Sequence, residues 1–191
     1  MKRYTLVGLV FALGCLGPRA DTSAFFTLSP ISPPAAESPV PVSIGLGPIT
    51  IPGYLDRRQI VHRLSDNELA VSEVDRWAES LADNIARTLG GNLAALLPGS
   101  SYITFPWYPS EQPDLAVTVE FRRFEADAAG VLVLDATWSL ARDGTRVDGG
   151  RALIEDQADG LGRGAVVAAH SRALAELSSQ VAAAVRRAAG Q

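Results

Sequence analysis

The chain has 191 residues, enough for one domain with its own core, and it is 47% hydrophobic and 20% charged, which excludes a disordered or fibrous protein. The formal net charge is −4, so no basic excess points to nucleic acid, and no nucleic-acid-binding signature stands in the sequence.

Lys2 and Arg3 form a short positive start, and residues 4–13 follow without a charge. An uncharged run of ten residues has the length of a signal-peptide core, half of the roughly 20 that a spanning helix needs. Cys15, the sole cysteine, stands where the run stops, so no disulfide can form within one chain. Residues 12–15, ALGC, resemble the bacterial lipobox, in which a small residue precedes the cysteine that receives lipid. The other reading is an ordinary cleaved signal, whose nearest site ends at Ala20 and has Pro18 where a small residue belongs. Two or three acyl chains on Cys15 would hold the protein on a membrane without a spanning helix, at about 0.8 kcal/mol per buried CH2. Leu16 rather than Asp follows the cysteine, and the resemblance to lipoprotein sorting rules then implies the outer membrane.

Residues 15–41 carry six prolines with several Ser and Ala, the composition of an extended tether. Phe25-Phe26-Thr27-Leu28 interrupts it and is expected to dock as a short edge strand that Pro30 ends. Residues 42–51 alternate as a strand, with Gly47-Pro48 shifting the phase as a bulge does. Residues 60–64 and 69–71 are short strand candidates joined by a turn at Ser65-Asp66-Asn67. Ser72 and Asp75 have capping-box spacing, and Val74, Trp77, Leu81, Ile85, Leu89, Leu93 and Leu96 recur at helical spacing. This predicts one helix from Ser72 to near Pro98-Gly99, weakened or kinked at Gly90-Gly91. A short strand at 102–105 leads into the aromatic turn Pro106-Trp107-Tyr108-Pro109. Strict alternation over 115–122 and 131–140 predicts a hairpin turning at 127–130, and residues 146–155 supply a third strand after Asp143-Gly144. Val166, His170, Ala173, Leu174, Leu177, Val181, Ala184 and Val185 form one stripe of a closing helix. The fold class that follows is α+β: a single domain over 42–190 after a signal (1–14) and tether (15–41). Its antiparallel-rich mixed sheet carries two long helices packed on one face.

Catalytic chemistry is hard to find. The two histidines, His62 and His170, have no Cys/His cluster around them, so a metal site of ordinary spacing is not expected, nor any other cofactor. His170 lies on the apolar stripe and reads as a core histidine; His62 reads as exposed on a strand. No nucleophile elbow or phosphate loop is present, and residues 160–164, GLGRG, read as a lead-in to the last helix. The sequence therefore displays no enzyme, and a hydrolase would need a nucleophile and base assembled from distant segments.

The lipobox-like Cys15, FFTLSP at 25–30, IPGYLDRRQIVHR at 51–63 and RWAESLADNIARTLGGNLAALLP at 76–98 occur in a fixed order. PWYP at 106–109, VLVLDATWSLARDG at 131–144 and the Ala-rich final helix complete it. Together they resemble the ABC-type transport auxiliary lipoproteins, the PqiC/YmbA-like proteins. The resemblance implies a non-enzymatic subunit of a lipid transport system, anchored on the periplasmic side of the outer membrane. Its implied partners are an inner-membrane MCE-domain protein and associated transporter components. Another reading is a structural or assembly lipoprotein of the envelope. Whether the chain assembles with copies of itself stays open.

An accessory subunit works by contact. Tyr54, Leu55 and Ile60 offer apolar area and Asp56, Arg57 and Gln59 directional polar groups, a mixture suited to an interface. The alternative is that Tyr54 and Leu55 cap the domain's own core, with Asp56 pairing with Arg57 or Arg63 to fix the turn. Trp77 and Trp138 read as core, while Trp107, between prolines, reads as a contact residue.

Overall fold

The computed structural model describes residues 22–32, 38–108, 110–160 and 162–190; Cys15 and the expected signal lie outside them. Chain order is β1 (Ala24–Phe26), β2 (Ser43–Thr50), β3 (Gln59–Ser65), β4 (Glu68–Trp77), α1 (Leu81–Leu96), β5 (Ser101–Thr104), β6 (Leu115–Asp127), β7 (Val131–Arg142), β8 (Thr145–Gln157) and α2 (Arg163–Ala188).

β6 is the spine of the eight-stranded mixed sheet. Its inward residues Leu115, Val117, Val119 and Phe121 are all buried, as period-2 alternation requires. One edge of β6 is taken along its length by β7, which continues antiparallel into β8. The other edge is shared. β2 runs parallel to residues 115–120 and carries β5 outside it; β3 runs parallel at Ala126 and Asp127 and carries β4 and then β1. The chain between β2 and β3 must therefore form a turn over the middle of β6. α1 packs against α2, and α2 lies across β6, β7 and β8 on one face. Ile85, Leu89 and Leu93 of α1 and Leu174, Leu177 and Val181 of α2 are sealed in the core between. Each such side chain contributes about 1.5–3 kcal/mol of burial.

The bulge expected at Gly47-Pro48 is present: the β2–β6 register shifts between Leu46 and Ile49, and Gly47 sits at φ 117°. The hairpin turn closes at Asp127, whose Oδ1 accepts the amides of Ala129 and Val131, each at 2.9 Å.

Three expectations change. Residues 72–77 are strand, and α1 starts nine residues later than predicted. The ladder to β3 and β1 claims this stretch, burying Asp75 and Trp77. Ser72 still bonds as a cap would, its Oγ accepting the Asp75 amide at 2.9 Å, but inside a strand bulge. The true cap is Ser80, whose Oγ accepts from the Asp83 amide at 3.1 Å. The helix then runs unbroken through Gly90 and Gly91. A Cβ on Gly90 would lie 2.5 Å from the Tyr102 ring, so this glycine serves close packing of β5 on α1.

The described parts of the tether are docked rather than free. Leu28 and Val40 are fully buried. Proline-rich chain cannot join a ladder, so its amides find side-chain acceptors on the helices: Leu28 N donates to Asn84 Oδ1 (3.0 Å) and Ile31 N to Asn92 Oδ1 (2.8 Å).

Candidate functional site

Two turns hold the residues expected to make contacts. The first spans residues 52–58. Its backbone is tied by Leu55 N to Pro52 O (2.9 Å) and Arg57 N to Leu55 O (2.8 Å), and the Trp77 amide closes it on Arg58 O (2.6 Å). Leu55 and Ile60, both 3% exposed, are spent in the core, so their apolar area faces inward rather than toward a partner. Tyr54 is half-buried and lies over the uncovered face of the sheet. Its hydroxyl donates to Glu125 Oε2 at 2.8 Å and sits 3.2 Å from Arg122 O.

Glu125 is the centre of this turn, and its side chain is wholly buried. Arg63 Nε donates to its Oε1 at 2.7 Å, Arg123 Nε to the same oxygen at 3.1 Å, and the Phe124 amide to Oε2 at 3.0 Å. Burial alone would raise the Glu125 carboxyl; the donors Arg63, Tyr54, Arg123 and the Phe124 amide outweigh it and hold the group below the usual carboxylate range. The same arrangement pushes the Tyr54 phenol up to about 12, first through burial and then through its carboxylate acceptor. Arg63 therefore pairs with Glu125, not with Asp56. Asp56 and Arg57 stay exposed, while Gln59 is half-buried. No local signal marks Glu125, which alternates outward as a solvated residue would. The visible trace is Arg122-Arg123, two successive charges where the β6–β7 register shifts by a bulge.

The second turn follows β5, an edge strand. Trp107 is half-buried: a Cβ on Gly45 would lie 2.9 Å from its ring, so the glycine makes its seat. Phe105 meets Trp107 edge to face, at 5.4 Å between centroids and 87° between planes. Phe105 is 53% and Tyr108 73% exposed, so both offer more ring to solvent than the half-buried Trp107. Beside them a groove of about 540 Å³ runs between β2, β5 and α1, lined by Leu46, Pro48, Ile49, Tyr102 and Phe105, with Glu79, Asp83 and Arg87 adding charge.

His170 is a core residue. Its Nδ1 lies 2.8 Å from Val166 O and its ring stacks edge-on against Trp77 and Phe124. Burial drives its pKa down to about 4, so it is neutral and closed to solvent. His62 is half-buried rather than exposed. Among the described residues no group of three or more His, Cys, Asp and Glu could hold a metal, and no helix is long and apolar enough to cross a membrane. The arrangement suits docking, with a braced turn on one side and loose aromatics on the other.

Comparisons with known proteins agree with this geometry. A crystal structure of an uncharacterized protein superposes with a TM-score of 0.69 at 21% identity, covering 84% of this chain and 99% of that one. A Xanthomonas campestris protein gives 0.68 at 18% identity, covering 84% and 93%. Both show the fold alone. The intermembrane transport lipoprotein PqiC of Escherichia coli is 30% identical over 96 residues, 50% of each chain, so the match spans about half the length of that relative. The Shigella flexneri protein of the same name matches equally. The family model for the ABC-type transport auxiliary lipoprotein component matches residues 26–182, nearly the whole described domain. The chain belongs to the ABC-type transport auxiliary lipoprotein family, which is a transport rather than an enzyme family.

Proposed function

We propose that the protein is an accessory subunit of an MCE-type intermembrane lipid transport system, anchored through Cys15 to the periplasmic face of the outer membrane. The observation that carries this is the family match over residues 26–182, joined by an intermembrane transport lipoprotein among the relatives. The subunit acts by contact, without a cofactor. Its partner is an MCE-domain protein with its inner-membrane components, met by the exposed aromatics around Trp107.

Capture of the native chain from solubilised membranes tests the partner. Recovery of an MCE-domain protein is expected; capture that retains other envelope complexes and yields none overturns the reading. The anchor is tested by Cys15→Ser, which should move the protein from the membrane to the soluble fraction. Unchanged fractionation would sink it.

A further inference from the structure

The row Phe25–Arg76–Gln59 crosses β1, β4 and β3 in register on the face away from the helices. Its inward neighbours Trp77 and Ile60 are buried, with Phe26 packed against the same core, so Phe25 and Arg76 face out. Phe25 is 56% exposed. The Arg58 guanidinium covers its ring at 5.9 Å and donates to Ala78 O at 3.1 Å. Arg57 is exposed beside it, and its side chain has no partner among the described residues. Arg76 Nε is buried without a hydrogen-bond partner there. The guanidinium of Arg58 and the register neighbour Arg76 thus flank one exposed aromatic ring, with Arg57 and Asp56 in the adjoining turn, in a chain of net charge −4.

Eight residues separate Cys15 from Ala24. Even fully extended, such a segment reaches at most about 30 Å. A lipid at Cys15 therefore keeps β1 close to the bilayer surface. We propose that this face docks on anionic phospholipid headgroups, with Arg57, Arg58 and Arg76 against phosphates and Phe25 at the interface. The inference rests on the anchored reading. Arginine and an aromatic ring at the headgroup level are the chemistry that such a surface takes, each guanidinium being worth about fivefold in occupancy.

The test uses the chain purified from its own membranes and reconstituted in vesicles of phosphatidylcholine, alone or with phosphatidylglycerol. Flotation with pure phosphatidylcholine reads the anchor. Quenching of Phe25→Trp by brominated acyl chains, in excess of the native tryptophans, reads the face. Contact at residue 25 should be at least about tenfold more populated with phosphatidylglycerol, and should fall in 0.5 M salt, roughly fivefold in Arg57→Glu, and to the phosphatidylcholine level in Arg57→Glu/Arg58→Glu/Arg76→Glu. The salt arm and the single variant, at an exposed side chain, carry the test if the triple variant misfolds. Flotation with equal quenching in both vesicles overturns the docked face and leaves the anchor standing. Failure to float overturns the anchor and this inference with it.

Discussion

The two turns differ in where their aromatic residues go, although both are punctuated by proline and carry an aromatic side chain. In the turn at 52–58, Tyr54 folds back over the sheet and finds a buried carboxylate. In the turn after β5, Trp107 half-settles on Gly45 while Phe105 and Tyr108 stay in solvent. What separates them is a residue far away in sequence. Glu125 lies 71 positions beyond Tyr54 and supplies a buried carboxylate acceptor, which none of the rings of the second turn meets among the described residues. A buried charge with several donors locks a turn; a glycine seat only supports one ring. Composition alone does not distinguish a brace from a contact surface.

The largest expected effect comes from removing the lock. Glu125→Ala removes the carboxylate that Arg63, Arg123 and Tyr54 share, and should lower unfolding free energy by about 3–5 kcal/mol in urea titration. A loss below about 1 kcal/mol would mean that the turn is held by Leu55 and its backbone hydrogen bonds without the carboxylate. The pH dependence follows from the same group. Its folded pKa is depressed, so the stabilisation is present above the usual carboxylate range and drains as pH falls below it. Glu125→Gln should flatten that acid limb. His170 gives a separate one. Its folded pKa is about 4 against 6.5, so the unfolded chain binds the extra proton and stability falls as pH drops from 6.5 to 4. His170→Phe should remove this limb while leaving the Glu125 limb intact.

Next is the seat of the second turn. Gly45→Ala places a Cβ 2.7 Å from Pro113 and 2.9 Å from the Trp107 ring, so the ring must move. A cost of about 1–2 kcal/mol and a red shift of tryptophan emission are expected. Greater stability with an unshifted spectrum would show that Trp107 is not seated there. Tyr54→Phe is milder. It deletes one of four donors to Glu125 and should cost about 1 kcal/mol in thermal or urea unfolding.

The sheet's long strands were legible because their cues are local: period-2 alternation for β6 and β7, turn residues at Asp127 and Asp143-Gly144, a 3.6-residue stripe for α2. The helix start was not, and the reason is instructive. Ser72-Glu73-Val74-Asp75 and Ser80-Leu81-Ala82-Asp83 have the same spacing, and in both the serine Oγ accepts the amide three residues on. Local chemistry cannot rank them. Pairing with β1 and β3, distant in sequence, turns the first into a strand bulge and leaves the second as the cap. Leu55 and Ile60, expected to offer apolar area to a partner, change for the same reason: only the packed sheet shows that they point inward.

The smallest stability effect, and the sharpest division between the turns, is expected at Tyr108. Its side chain is 73% exposed and stacks on no other ring among the described residues, so Tyr108→Ala should change unfolding free energy by less than about 0.5 kcal/mol. Exposed aromatics beside a groove are the residues that carry interface energy, commonly 2 kcal/mol or more each when they anchor. Tyr108→Ala should therefore weaken recovery of the membrane partner about tenfold or more at native stability, and Phe105→Ser should weaken it likewise with the added loss of its edge-to-face contact on Trp107, whereas Tyr54→Phe should do the reverse, costing stability with recovery intact. If the recoveries exchange places, the braced turn is the contact surface and the loose aromatics are bystanders.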